Sequence, residues 1–295
     1  MLIIIADTFD ESLPRKLGVW AEVSEDLDRI SEADILLVRS KTRCTREFID
    51  RCSMLKLIIR GGVGVDTIDV DYARSRGITV LNTPKASSIA VAELTMAFML
   101  AVPNHLVEAH VSMTDGQWLK KQLKRSELYG KTLCLIGKGN IAREVARRSS
   151  AFGMNVVGYS RSGQASDAAD MKLSIEEAVR DADYISIHTP LTKETRHLFN
   201  RSVISFCTKT PVVINTSRAE CVQPEDMAEA LDRGLISWYA SDVWPSDPPP
   251  DDYPLLKNDR VLMTPHIGAN SRENLARIGD EVCTIIQEFL EGGLQ

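Results

Sequence analysis

Several things are scarce in this chain, and each shortage removes a class of function. There is no surplus of positive charge: 35 basic residues stand against 41 acidic ones, for a net charge of −6. That balance argues against nucleic acid or an anionic membrane as a partner. The one basic run, Lys120 to Arg125, reads as a solvated helix face. Six cysteines, at positions 44, 52, 134, 207, 221 and 283, make no C-x-x-C pair and no metal-ligand spacing. No metal site is therefore expected, and free thiols in a reducing cytoplasm fit best. No apolar run approaches the roughly 20 residues of a membrane helix. The opening MLIIIADTFDE turns acidic too soon for a secretory leader. Internal repeats and low-complexity tracts are missing too. With 44% apolar and 26% charged residues, 295 residues suit two globular domains of ordinary size.

What is present centres on Thr132 to Ala142, TLCLIGKGNIA. Leu133 to Ile136 is an apolar run of strand length, and Arg143 to Phe152 continues with helical spacing. Between them lies G-x-G-x-x-A, the dinucleotide turn in its proper setting. Gly137 permits the tight turn, and Gly139, without a β-carbon, lets a pyrophosphate approach the backbone. Asn140 and Ile141 open the helix, whose free N–H groups and dipole attract phosphate. Ala142 is small enough for helix-on-strand packing.

The next strand, Asn155 to Tyr159, ends in Ser160-Arg161-Ser162. NAD-binding proteins usually place an acidic residue there. No carboxylate follows in the sequence to repel a 2′-phosphate, and the Arg161 fork suits one. NADP(H) is therefore expected ahead of NAD(H); the alternative is a solvated loop arginine.

Apolar strands recur at Leu2–Ala6, Ile35–Val38, Lys56–Arg60 and Ile78–Leu81, with helical patterns at Ser24–Ile30, Thr45–Arg51 and Asp69–Arg76 between them. Such alternation implies parallel sheets covered by helices. Gly61-Gly62-Val63-Gly64, directly after a strand, makes either an anion-binding concavity or a simple tight turn. Ala86 to Val107 is helical, and Pro103 should kink it. Further strands at Tyr184–His188, Val212–Asn215, Ile236–Ala240 and Val261–Thr264 end in Thr189-Pro190, Thr216-Ser217-Arg218, Ser241-Asp242 and Pro265-His266-Ile267-Gly268. Helices are expected at Ile175–Arg180, Thr195–Phe199, Pro224–Arg233 and Arg272–Glu291, the last returning to the first domain. In doubly wound sheets ligands bind at the carboxyl ends of strands. Thr189, Pro190, Thr216, Ser217, Asp242 and Gly268 are thus candidate cofactor contacts.

Three residues at these ends suggest chemistry. Arg218 can hold a carboxylate and a carbonyl oxygen. His266 can give or take the proton on a substrate oxygen. Asp247, 19 residues before it, either holds the imidazole by its other nitrogen or serves as a turn residue.

These motifs resemble the D-isomer-specific 2-hydroxyacid dehydrogenases from about Val38 to Asn270. The matching stretches are GVGVDTID (62 to 69), AELT (92 to 95), the GKGNIA turn, HTPLTKET (188 to 195), NTSRAE (215 to 220), SDVWPSDP (241 to 248) and TPHIGA (264 to 269). The resemblance implies catalytic roles for Arg218, His266 and the carboxylate at 247, and a substrate carboxylate held by backbone N–H groups around Val63 and Gly64, next to Gly62. It also implies a homodimer formed through the cofactor domain. Two positions depart from the pattern: Asp247 stands where the family usually has Glu, and Ser160 where it usually has an acidic residue. Within the family, VRS with Thr42, LIIR and MTDGQW resemble the D-3-phosphoglycerate dehydrogenase branch. There Arg39, Arg60 and Lys120 match basic positions facing a substrate phosphate; the plain reading of Arg39 and Arg60 is salt-bridged surface arginine.

The resulting expectation is an α/β protein of two doubly wound parallel-sheet domains with the cleft between them. A flavodoxin-like substrate domain comprises 1–98 and 270–295, and a Rossmann cofactor domain 99–269. The expected activity is hydride transfer between NAD(P) and a small D-2-hydroxy or 2-oxo acid. 3-Phosphoglycerate/phosphohydroxypyruvate comes first and hydroxypyruvate or glyoxylate second. The competing reading is a nicotinamide-sensing binding protein without turnover.

Overall fold

The computed structural model describes residues 1–163 and 168–293. Positions 164–167, and Leu294 and Gln295 of the expected substrate segment, lie outside the described residues. The chain divides into two compact units, Met1–Ala90 with Ala269–Gln295, and Val91–Gly268.

The first unit contains β1 (Leu2–Ile5), α1 (Leu13–Leu17), β2 (Glu22–Ser24), β3 (Ile35–Val38), α2 (Arg46–Asp50), β4 (Leu57–Arg60), α3 (Val70–Ser75) and β5 (Thr79–Asn82). Its sheet runs β2-β1-β3-β4-β5, all parallel, which is the flavodoxin order. Every residue of β1 and β3 is buried. Ile4 and Leu36 feed one apolar cluster; Ile3, Ile5, Ile35 and Leu37 feed the cluster on the other face. A sheet covered on both sides reads as continuous apolar runs, which is why these strands are plain in the sequence.

The second unit holds most of α4 (Ser88–Ala101), then α5 (Leu106–Thr114), β6 (Thr132–Ile136), α6 (Asn140–Ala151), β7 (Asn155–Tyr159), β8 (Asp170–Met171), α7 (Ile175–Val179), β9 (Tyr184–Ile187), α8 (Arg201–Ile204), β10 (Val212–Asn215), α9 (Pro224–Asp232), β11 (Trp238–Ser241) and β12 (Val261–Met263). The long α10 (Arg272–Leu290) belongs to the first unit. The second sheet runs β12-β11-β10-β9-β6-β7-β8, all parallel. This is the Rossmann order with one strand added, and the order reverses between β6 and β9. The α4–α5 pair bends by 63° at the break that contains Pro103. Among the described residues no single helix is long and apolar enough to cross a membrane.

Some local expectations fail for identifiable reasons. Ser24–Ile30 is not an α-helix: β2 ends at Ser24, and a 3-10 turn follows at Leu27–Glu32, where the Asp26 carboxylate accepts from the Asp28 N–H. Thr195–Phe199 is a turn rather than a helix. The Thr195 hydroxyl accepts from the Thr192 N–H at 2.7 Å and donates to the Pro190 carbonyl at 2.6 Å, bonds that compete with a helical ladder. The basic run Lys120 to Arg125 is irregular rather than helical.

Candidate functional site

At the reversal point of the second sheet lies a cavity of about 330 Å³, in the size range of small-ligand sites. Gly137 to Gly139, Ser160 to Ser162, and His188, Thr189 and Pro190 line it. Gly137 has φ 115°, and a β-carbon there would stand 2.4 Å from the His188 carbonyl oxygen. Only glycine fits that approach. At Gly139 a β-carbon would meet nothing within 4 Å, so the backbone face is open to a phosphate. Asn140 and Ile141 begin α6, which carries no acidic residue in its first turn. Its buried residues Ala142, Val145, Ala146 and Ser149 recur at helical spacing, and Ala142 packs in one cluster with Leu133 and Leu135. These features fit a bound dinucleotide: an open glycine face, a helix start free of negative charge, and a cavity beside the second strand's end.

One expectation about this cavity is overturned. Glu194 also lines it, and its Oε2 lies 3.3 Å from Arg161 Nη1. A carboxylate therefore does stand beside the arginine, supplied by the loop after β9 instead of the end of β7. The Thr192 hydroxyl, donating at 2.7 Å, and Arg161 hold Glu194 below the usual carboxylate range.

A second group forms at the ends of β10, β11 and β12. Asn215, Ser241 and Met263 are register partners across these strands, so Arg218, Asp242 and His266 leave the sheet at one level. Buried Asn215 fixes the first loop: its Oδ1 accepts from the Ser217 N–H and hydroxyl at 3.0 and 2.9 Å, and its Nδ2 donates to the Arg218 carbonyl at 2.9 Å. Arg218 Nη1 donates to the Ser217 carbonyl at 2.7 Å. Thr216 is buried, its hydroxyl 3.1 Å from that of Thr95.

Asp242, only 2% exposed, fastens the histidine segment. It accepts from the Thr264 hydroxyl at 2.6 Å, the Ile267 N–H at 2.8 Å and the Gly268 N–H at 2.7 Å. A β-carbon at Gly268 would stand 2.8 Å from Asp242 Oδ2. Asp242 was expected as a cofactor contact; its carboxylate is instead engaged by three protein donors. His266 itself adopts φ 54°, an uncommon conformation for a non-glycine residue and one that marks functional positions. Its Nδ1 lies 2.7 Å from Asp247 Oδ2. This leaves Nε2 as the nitrogen able to exchange a proton with a ligand. Thr216, Ser217, Asp242 and Gly268 belong to this group and do not line the cavity around Gly137.

In the first unit the expected substrate residues cluster at the ends of β3 and β4. Arg39 is half-buried, which pulls its pKa down, and its two terminal nitrogens donate to the carbonyls of Thr8 and Ala269 at 3.0 and 3.2 Å. It is not a solvated, salt-bridged surface arginine. Arg60 lies against Gly62, where a β-carbon would stand 1.6 Å from its Nη1. The Gly62 N–H is already taken by the Thr83 hydroxyl at 2.7 Å, which corrects its assignment as a free anion donor. Val63 is 40% exposed and lies in a bend with Gly61 and Gly62, and Gly64 follows it. Lys120 is exposed in the irregular segment after α5. The cysteines add no chemistry: burial pushes Cys44 up to about 12 and Cys52 and Cys207 up to about 11.

The family model described as "D-isomer specific 2-hydroxyacid dehydrogenase, NAD binding domain" matches residues 96–268. D-3-phosphoglycerate dehydrogenase of Methanocaldococcus jannaschii is 42% identical over 99% of this chain and 58% of its own length. Hydroxypyruvate reductase of Thermotoga maritima is also 42% identical, over 88% of this chain and 86% of its own. Among solved structures, an acyclic imino acid reductase in complex with NADPH and D-Arg has 26% identity and a TM-score of 0.91, covering 100% of this chain and 98% of that one. The chain spans a little over half the length of the phosphoglycerate dehydrogenases it matches.

Proposed function

The chain belongs to the D-isomer specific 2-hydroxyacid dehydrogenase family, and on that footing we propose that it transfers hydride between a nicotinamide cofactor and a small D-2-hydroxy or 2-oxo acid. The observation that carries this reading is the 2.7 Å His266–Asp247 pair on the sheet that also bears the glycine turn. Hydride transfer is the chemistry a nicotinamide cofactor supplies when bound. Gly137, Gly139, Asn140, Ile141, Thr189 and Pro190 would hold it. Arg218 binds and polarises the acid through its planar fork. His266 exchanges the proton on the substrate oxygen at Nε2, while Asp247 steadies the ring from Nδ1. The N–H groups of Val63 and Gly64 hold the substrate carboxylate.

Phosphohydroxypyruvate/3-phosphoglycerate is the favoured pair, supported by Arg39, Arg60 and Lys120. Hydroxypyruvate or glyoxylate is the second, supported by the end of β7. The test is an initial-rate screen of phosphohydroxypyruvate, hydroxypyruvate and glyoxylate with NADPH and NADH. Turnover is expected with at least one acid; cofactor binding without turnover of any would leave a nicotinamide-sensing protein. A homodimer belongs to the same reading. Leu106, Val107, Val111 and Met113 on α5, with Trp118, are all at least half exposed, and sedimentation as a single chain would remove it.

For the cofactor we favour NADP(H). Arg161 with the hydroxyls of Ser160 and Ser162 suits a 2′-phosphate, and Glu194 is the group that must release Arg161. Arg161→Ala is expected to reduce the NADPH:NADH ratio of kcat/KM by about tenfold or more, the size of one charge-assisted hydrogen bond. Glu194→Gln is expected to raise that ratio. Ratios that stay within about twofold in both variants would refute this account of the loop.

A further inference from the structure

We propose that Trp244 is a positioning residue that adapts this site to an aspartate partner for His266. The inference rests on the acid–base reading of His266 given above and goes beyond it. An aspartate reaches about 1.5 Å less far than the glutamate usual in the family, the length of one carbon–carbon bond. Yet the Asp247 carboxylate lies 2.7 Å from the imidazole. The segment that carries it therefore stands close enough to the histidine segment for the shorter side chain to reach.

Among the described residues, one hydrogen bond joins the stretch between Asp242 and Asp247 to the histidine segment. Trp244, three positions before Asp247, donates through Nε1 to the carbonyl of Thr264 at 2.9 Å. Thr264 lies two positions before His266, whose own N–H reaches the same carbonyl at 3.1 Å. The indole is braced from behind by Tyr253, edge to face, with ring centroids 6.1 Å apart at 88°. Tyr253 in turn packs against the core of the second sheet.

Asp242 cannot do this work alone. Its carboxylate fixes Thr264, Ile267 and Gly268, which settles the histidine segment, and the Ser241 hydroxyl holds Val243, which leaves the three residues from Trp244 to Ser246 to set where Asp247 stands. Trp244 ties that stretch down. An indole N–H is a donor only, so a phenylalanine would keep the ring contact and lose the link.

The test compares W244F, D247E and the double variant W244F/D247E in the full chain. The first readout is the tautomer of the His266 ring, from 15N NMR of the protein without substrate. Asp247 fixes the proton on Nδ1 in the wild type; W244F is expected to give a mixture with the Nε2–H form, and the double variant to restore Nδ1–H. The second readout is kcat and KM with the 2-oxo acid that the wild type reduces. W244F is expected to lower kcat roughly tenfold, the size of one lost hydrogen bond, with KM unchanged. The double variant should recover most of that loss, so the two changes are coupled rather than additive. An unchanged tautomer and kcat in W244F, or effects that simply add, would overturn the proposal. If W244F does not fold, D247E alone decides: it should lower kcat in a site drawn close for aspartate, and an unchanged or higher kcat would overturn it. If the wild type reduces none of the acids, the acid–base reading fails, and the tautomer still decides the positioning.

Discussion

Replacing His266 with alanine is expected to lower kcat by about two to four orders of magnitude, the usual contribution of a positioned general acid–base. In the proposed reaction the imidazole carries the proton: Asp247 occupies Nδ1 at 2.7 Å, and His266 holds a φ of 54° beside the Asp242 bonds to Ile267 and Gly268. Cofactor affinity should stay within about twofold, because His266 does not line the cavity around Gly137 to Gly139. The split is the informative part. A pure binding protein would keep its cofactor response in His266→Ala, whereas the enzyme loses turnover alone. The check is initial-rate kinetics beside a titration of reduced cofactor by fluorescence; turnover retained within a few-fold would assign the proton transfer elsewhere.

The second large effect concerns acid stability. Burial pushes the His188 imidazole down from 6.5 to about 3. Its Nε2 lies 2.9 Å from the Ser186 hydroxyl, and its Nδ1 is buried without a partner among the described residues. The folded state thus holds this ring neutral while the unfolded chain protonates it near 6.5. Between those values the unfolded state binds more protons, so stability rises with pH across that window. It is complete above pH 6.5 and falls as the pH drops below it. At pH 5 the loss from this one residue is about 2 kcal/mol. Denaturant unfolding at pH 7 and pH 5 is expected to show that extra loss in the wild type and its absence in His188→Gln. Equal losses in both proteins would contradict the assignment. The effect bears on function because the His188 carbonyl is the atom against which Gly137 closes.

Much of this was legible in the sequence because burial on both faces writes itself as unbroken apolar runs. LIII, ILLV and TLCLI are strands on any reading, and the G-x-G-x-x-A turn between β6 and α6 needs little more than its own spacing. The contact between His266 and Asp247 was legible too, since their residue types and their position past strand ends suggested that the two side chains could meet. What stayed hidden depended on side chains meeting across loops. Nothing in the string says that Glu194, 33 positions after Arg161, comes to stand beside it. The reason lies in the threonine hydroxyls that fold residues 190–195 into a turn, at the start of the stretch Thr195–Phe199 where a helix had been expected. Asp242 looked like one more polar strand end, and only the three donors around it reveal a clamp. Short edge strands such as β2 and β8 carry too few residues for an alternating pattern.

The reaction proposed for this protein is direct hydride transfer between a nicotinamide and the second carbon of a 2-oxo acid. Reducing whichever acid turns over with cofactor fully deuterated at C4, and then reading the product by mass spectrometry and NMR, tests it in one step. One deuterium is expected, bonded to carbon 2 of a D-hydroxy acid. A product with only solvent hydrogen at that carbon, or no product while the deuterated cofactor stays bound and unchanged, would contradict it.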